Sequence, residues 1–237
     1  MKTVLVTGAN RGLGLETTKQ LAAKGFKVYM GCRNLEKSQK EFEELLKEYP
    51  LTEIIKLDVT STADIRNFLN HLKSQNQMID ILINNAGVFL ESSGPEDQTV
   101  SSIFKVDPVI ILKTIEANTI GPLKIAQSLI PMMLAKGEGR VINISSGIGQ
   151  LATMGGHWPG YRLSKTALNS LTCILDAEVG DQGIFVNSVC PGWVRTDMGG
   201  KNADLSVEEG VKTTVWLAST EESPRRKFLR NMQEIEW

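Results

Sequence analysis

The N-terminal segment constrains the fold most tightly. A β-branched run, Thr3–Thr7, ends in a glycine-rich turn, and that turn opens a helical pattern over Leu13–Lys24 with Gly25 after it as the stop. The alternation then repeats. Lys27–Gly31, Glu53–Leu57, Ile79–Ile83, Arg140–Ile144 and Ile184–Val189 read as strands. Helical patterns separate them over Leu35–Tyr49, Ser61–Ser74, Pro108 or Val109 to Ala135 (with Gly121-Pro122 in its middle), and Trp158 to Glu178. Ser61 is placed to cap its helix, with Asp64 three residues on. The polar, basic tail Ser219–Trp237 adds a last short strand around Phe228 and Leu229. Strand–helix alternation predicts an α/β fold: a doubly wound, seven-stranded, mostly parallel sheet with helices on both faces, as one domain over residues 1–237. The stretch Glu91–Ser102, rich in Ser, Gly, Pro and Asp, reads as a solvated loop.

Composition narrows the function classes. Lys plus Arg is 26 against 27 Asp plus Glu, a net charge of -1. That balance argues against nucleic acid and against a polybasic membrane surface. No apolar run approaches the roughly 18 residues of a membrane span. Cys32, Cys173 and Cys190 make no closed pairing and have no metal spacing, so no metal is expected and a reducing cytoplasm is the expected compartment.

Within the turn, Gly8 permits a tight bend, Gly12 lets the backbone approach a pyrophosphate, and Gly14 lets the helix pack on the sheet. The helix N-terminus then offers N–H groups to an anion. The context is that of a Rossmann-type dinucleotide site, although the spacing is Gly-x3-Gly-x-Gly. The second strand runs out through Tyr29-Met30-Gly31-Cys32-Arg33-Asn34 with no carboxylate for a ribose 2′-hydroxyl. Arg33 can instead pair with a 2′-phosphate, and Arg11 adds a second cation, so NADP(H) is expected over NAD.

Further motifs follow in order. Asp58-Val59 comes after the third strand, Asn84-Asn85-Ala86-Gly87 after the fourth, and Asn118-Thr119-Ile120-Gly121 lies in the long helix. Ile144-Ser145-Ser146 ends the fifth strand, Tyr161-x3-Lys165 lies in the next helix, and Pro191-Gly192-Trp193-Val194-Arg195-Thr196 follows the sixth strand. Together these resemble the classical short-chain dehydrogenases/reductases over nearly the whole chain, and most of all the small carbonyl-reductase-like members. The C-terminal Phe228-Leu229-Arg230-Asn231…Ile235-Glu236-Trp237 is similar to that group's ending. The resemblance implies a cofactor site of Gly8, Asn10, Arg11, Gly12, Leu13, Gly14, Arg33, Asp58, Val59, Asn85, Ala86, Gly87, Tyr161, Lys165, Pro191, Gly192, Val194 and Thr196, and a catalytic set of Asn118, Ser146, Tyr161 and Lys165. There are departures. Only 15 positions separate Ser146 from Tyr161, so the long insertion of monomeric mammalian-type carbonyl reductases is absent, and Pro224-Arg225-Arg226 replaces the usual small residues before the last strand.

Tyr161 and Lys165 share one helix face. A nearby ammonium favours the phenolate, so Tyr161 can act as general acid in reduction and base in oxidation. By the resemblance, Ser146 donates to the carbonyl oxygen, Asn118 positions a relay water beside Lys165, and Thr196 with the backbone near Val194 orients the carboxamide. The expected activity is NADPH-dependent reduction of a ketone or aldehyde, with a small carbonyl or alcohol compound as partner. A non-catalytic NADPH-binding regulator or redox sensor is the alternative. A nucleotide-sugar epimerase is opposed by the glycine spacing and the short tail. A hydrolase is opposed because Asn143-Ile144-Ser145-Ser146-Gly147 lacks the first glycine of a nucleophile elbow. His157 reads as a loop residue near the substrate mouth, His71 as solvated, and Cys190 as packing, while Trp158 and Trp193 flank the site motifs as pocket walls. The family's usual dimer helices imply a homodimer or homotetramer. Met132, Met133, Leu168, Leu171 and Leu175 are candidates for that interface and equally for the core.

Overall fold

The computed structural model describes residues 1–35, 39–91 and 102–237. In chain order the elements are β1 (Thr3–Thr7), α1 (Gly12–Ala23), β2 (Lys27–Cys32), α2 (Gln39–Glu48), β3 (Thr52–Lys56), α3 (Thr62–Ser74), β4 (Ile81–Asn84), α4 (Pro108–Ile115), α5 (Gly121–Lys136), β5 (Gly139–Ile144), α6 (Pro159–Val179), β6 (Ile184–Val189), α7 (Val207–Gly210), α8 (Lys212–Ser219), β7 (Phe228–Arg230) and β8 (Gln233–Glu234). The sheet runs β3-β2-β1-β4-β5-β6-β7-β8. All pairs are parallel except the β7–β8 hairpin. Strand order reverses between β1 and β4, which opens a crevice at their C-terminal ends where such sheets bind ligands.

The expected seven strands become eight. The addition, Gln233–Glu234, is exposed and lacks any apolar alternation, so no sequence pattern marks it. It is made by its turn, where Asn231 (φ 49°) and Met232 (φ 61°) both take the left-handed conformation of a tight hairpin. The long helix expected from Pro108 to Ala135 is continuous but contains a π-turn at Glu116–Ile120. It ends at Lys136, where Gly137 (φ 77°) gives a left-handed cap. Residues 36–38, inside the expected second helix, lie outside the described residues, as does most of the expected loop at 92–101. Helices α7 and α8 carry no sequence expectation above; α7 starts with a full capping box, Ser206 with Glu209. Ser61 caps α3 by accepting from the Asp64 N–H at 3.1 Å. Asp64 does not close the box; its carboxylate accepts from the Asp58 N–H at 3.0 Å and so braces the β3–α3 turn.

Side-chain alternation splits the central strands between two cores. Leu5, Leu82, Val141 and Val186 face α3, α5 and α6, where they meet Phe68, Leu129 and Leu168. Val4, Val6, Ile81, Ile83 and Ile142 face the other way toward Leu21, Phe42, Leu45 and Val215. Strands β1, β4 and β5 are buried throughout, as a sheet covered on both faces requires. Of the interface candidates, Met133, Leu168, Leu171 and Leu175 are buried in the first core and Met132 packs against it. Pro224-Arg225-Arg226 also has a structural role. Arg225 pairs with Asp176 at 3.3 Å and Asp181 at 2.8 Å, and the Pro224 carbonyl accepts from Asn187 at 2.7 Å, which ties the last strand to the sheet.

Candidate active site

The crevice is built from three turns that interlock. Thr7, the last residue of β1, accepts the N–H groups of Asn85 and Ala86 on its hydroxyl, each at 3.0 Å. In return the Asn85 amide donates to the carbonyls of Thr7 (2.9 Å) and Gly8 (3.1 Å). The glycine turn is therefore clamped to the end of β4. Gly8 (φ 63°) has room for no side chain, since a Cβ there would stand 2.8 Å from the Ala86 Cα. A Cβ on Gly14 would stand 2.5 Å from Asn85 Nδ2. These are the close approaches that leave the N-terminal N–H groups of α1 bare for a phosphate. Asn10, half-buried, sits in the turn, and Leu13 packs into the second core.

The third turn is the segment after β6. Pro191 is half-buried and Gly192 takes φ 84°. Val194 is buried and bridges to Leu205. Thr196 lies across Gly12, with its Cγ2 3.3 Å from where a Cβ would be. Arg11 forms an ion pair with Asp197 over the same gap. Arg33 is exposed at the end of β2. Asp58 spends one carboxylate oxygen on the Thr60 N–H and hydroxyl, at 2.9 and 2.7 Å. Val59 is buried against Gly121, where a Cβ would come within 2.7 Å of its Cγ2.

Beside this crevice stand the remaining expected residues. Ser146, two residues beyond β5, is close enough to the Tyr161 phenol to act on its ionisation. Lys165 lies one helical turn on, with Nζ 5.6 Å from the Tyr161 ring centroid and donating to the Ile144 carbonyl at 2.8 Å. Burial governs both groups. The Tyr161 phenol is pushed up to about 12, first by desolvation and then by the nearby Cys190 sulfur, with the Ser146 hydrogen bond acting against them. Desolvation brings the Lys165 ammonium down to about 8. A Cβ on Gly87 would lie 3.6 Å from Lys165 Nζ and 3.2 Å from Asn118 Oδ1, so the turn after β4 passes directly over both.

Asn118 occupies the π-turn, a local widening that recurs at functional sites. Both donors of its amide are committed: Nδ2 donates to the Val88 carbonyl at 2.9 Å and to Ser164 at 3.0 Å, while Oδ1 accepts from the Val88 N–H at 2.7 Å. The side chain thus ties the π-turn to the β4 loop and to α6.

Several participants are invisible to motif reading. Glu91, placed in a solvated loop by composition, is only 6% exposed. Its oxygens accept the N–H groups of Gly160 (2.8 Å) and Tyr161 (2.7 Å). Helix α6 needs that cap, because Trp158 before it is left-handed (φ 51°, ψ 51°) and offers no side-chain acceptor. Phe89 packs against Tyr161 and Trp158 at ring-centroid distances of 4.7 and 5.9 Å, making an aromatic wall on one side of the phenol. Trp193 is 46% exposed and donates to the Gly199 carbonyl. Cys190 accepts from the Gly147 N–H and from Arg230. Under the site, Asn84, Asn143, Thr172 and Ser188 form a buried hydrogen-bonded file across β4, β5, α6 and β6 at 2.8 Å per step. Asn84 opens the Asn84-Asn85-Ala86-Gly87 motif, but no sequence pattern singles out Asn143. Among the described residues there is no metal-holding cluster and no helix long and apolar enough to cross a membrane. His71 is not simply solvated: it pairs with Glu53 at 2.6 Å.

A doubly wound sheet with a phosphate-binding turn at its switch point, and Ser, Tyr and Lys converging beside it, defines a dinucleotide-dependent oxidoreductase. The chain belongs to the short chain dehydrogenase family, whose model matches residues 2–206. It is 29% identical to (+)-neomenthol dehydrogenase of Arabidopsis thaliana, over 98% of this chain and 97% of that protein. Its fold is similar to the NADPH-bound carbonyl reductase from chicken fatty liver (TM-score 0.88, 30% identity, 100% of this chain and 99% of the other). It is equally similar to the carbonyl reductase Sniffer of D. melanogaster (TM-score 0.88, 29% identity, 100% of both chains).

Proposed function

We propose that this chain is an NADPH-dependent reductase of ketones or aldehydes with Tyr161 as the general acid. The observation that carries this reading is the convergence beside the crevice of Tyr161, Ser146 beyond the end of β5, and Lys165, whose Nζ lies 5.6 Å from the Tyr161 ring centroid. The NADPH-bound relative of like fold supports the choice of cofactor. The site fits the group: Gly8 and Gly14 let the turn close tightly on Ala86 and Asn85, and the N-terminus of α1 carries no side-chain cap. Arg33 would meet the 2′-phosphate, joined by Arg11 once it exchanges Asp197 for the anion. Bound NADPH supplies the hydride.

The protein's own residues do the rest. Ser146 donates to the carbonyl oxygen as charge develops there. Tyr161 delivers its proton to that oxygen. Its raised pKa keeps it protonated through the neutral range, which suits the reductive direction. Lys165 stabilises the phenolate left behind and would hold ribose hydroxyls in place of the Ile144 carbonyl. Because both donors of the Asn118 amide are engaged, the proton returning to Tyr161 would pass through a water that donates to the carbonyl groups of the π-turn. Exposed apolar residues on α4 and α6, Val109 and Leu112 with Leu163 and Ile174, support self-association of the chain.

The test pairs titration of the wild type with NADPH and NADH against turnover of a carbonyl panel, repeated on Tyr161→Phe. The phenylalanine variant is expected to keep NADPH binding and to lose turnover by at least about a thousandfold. A Phe variant as fast as the parent removes the mechanism. NADPH binding with no carbonyl reduced by the wild type would make the chain a dinucleotide-binding regulator instead.

A further inference from the structure

The described half-buried and buried arginines mostly find oxygen. Arg140 donates to the carbonyls of Leu217, Ala218 and Glu221. Arg162 donates to those of Ile148, Gly156 and His157. Arg225 holds Asp176 and Asp181. Arg230 differs. Its Nε and Nη2 both point at one sulfur, Cys190 Sγ, at 3.3 and 3.1 Å. No carboxylate lies within ion-pair distance of it among the described residues. A thiol is a weak acceptor, and a guanidinium presents a flat fork of donors matched to a carboxylate. Partial burial of that fork on a sulfur alone leaves its best hydrogen-bonding capacity unused.

The position of this fork is what gives it meaning. Arg230 ends β7, and the tight hairpin through Asn231 and Met232 fixes its direction. Its Nη2 lies over Gly147, where any Cβ would overlap it, and Gly147 directly follows Ser146. The Cys190 sulfur beneath it also accepts from the Gly147 N–H at 3.1 Å and is close enough to act on the Tyr161 phenol. The guanidinium therefore stands over the residue that follows the proposed carbonyl donor. The aromatic wall of Phe89 and Trp158 lines the phenol as well.

We infer that Arg230 is a substrate-binding residue and that the carbonyl compound this chain reduces carries a carboxylate, which the guanidinium takes in bidentate fashion. The inference rests on the reductase reading above and adds the substrate class to it.

The test compares two acid–ester pairs under saturating NADPH: phenylglyoxylate with methyl phenylglyoxylate, and 4-carboxybenzaldehyde with its methyl ester. The wild type is expected to favour the acid in at least one pair by about tenfold in kcat/KM, mostly through KM. Arg230→Met should collapse that acid-to-ester ratio to about one, and Arg230→Lys, which keeps a point charge without the fork, should leave an intermediate ratio. If the wild type prefers the ester in both pairs, or if the ratio is the same in Arg230→Met, the substrate-class inference is overturned and the reductase reading stands. The wild-type ratio decides even if the variants do not fold. If none of the four is reduced while other members of the carbonyl panel are, the substrate-class inference is overturned and the reductase reading stands; if nothing on the panel is reduced, the reductase reading fails, and this inference with it.

Discussion

In Lys165 the proposed function is set against stability. The residue is 4% exposed, the Ile144 carbonyl is its ammonium's one hydrogen-bond partner among the described residues, and burial brings its pKa to about 8. Below that value the folded chain keeps a charge that water would solvate better. Between about pH 8 and the ordinary lysine value near 10.4 the unfolded chain binds the proton that the folded chain has released, so this contribution to stability rises with pH. Lys165→Met should therefore stabilise the cofactor-free protein at pH 7, by on the order of 2 kcal/mol, with the gain shrinking toward zero by pH 10. Tyr161 acts in the opposite sense at higher pH, where the unfolded chain gives up its phenol proton first, but both proteins share that effect. Urea unfolding at the two pH values measures the difference. A variant less stable than wild type at pH 7 would mean that the ammonium is well accommodated in the empty site. Turnover should be lost in either case, as expected where an active site holds a strained charge.

At the scale of elements, the helix that carries Tyr161 and Lys165 is only as well placed as its first turn. Helix α6 begins after two consecutive left-handed non-glycine residues, His157 (φ 62°) and Trp158 (φ 51°), an arrangement that persists only when its surroundings hold it. Glu91 supplies that hold by accepting from both Gly160 and Tyr161. Its charge also lies at the positive end of the helix. Glu91→Ala should cost about 1–2 kcal/mol of stability, the usual range for a lost cap. It should also lower kcat about tenfold at temperatures where the variant is fully folded, because Tyr161 moves with the helix end. Glu91→Gln keeps one acceptor and should fall between the two. NADPH affinity, which depends on the glycine turn at the other side of the crevice, should change little. A stability loss with kcat intact would assign Glu91 to the fold alone.

Across the whole molecule, what the sequence revealed was what repeats or what is spaced by backbone geometry. The strands β1, β4 and β5 were legible because burial on both faces demands continuous apolar runs, and the glycine turn because only glycine fits beside Ala86 and Asn85. The cap by Glu91, the Arg230–Cys190 contact and the hydrogen-bonded file from Asn84 to Ser188 were not, even where a motif included the residue, because their meaning comes from partners distant in the chain, 69 residues away for Glu91 and Gly160. The eighth strand was missed for the same kind of reason, since its turn and not its composition makes it. The helix pair α4 and α6 shows the limit from the other side. The residues that composition offers for an interface, such as Met133 and Leu168, are 1% exposed and fill the core. The exposed apolar residues are Val109 and Leu112 on α4 and Leu163 and Ile174 on α6, of which Leu112 is 66% and Ile174 54% exposed. On a chain that associates through this face, Leu112→Glu with Ile174→Glu would bring carboxylates into a desolvated contact and weaken the assembly by at least about a hundredfold in its dissociation constant. Both sites lie on the solvent side of their helices, so the monomer should unfold at nearly the same temperature as wild type diluted below its dissociation constant. Light scattering across a concentration series reads the mass directly. A wild type that stays monomeric at every concentration, or a double variant of unchanged mass, would leave this face as ordinary surface and move any self-association elsewhere on the molecule.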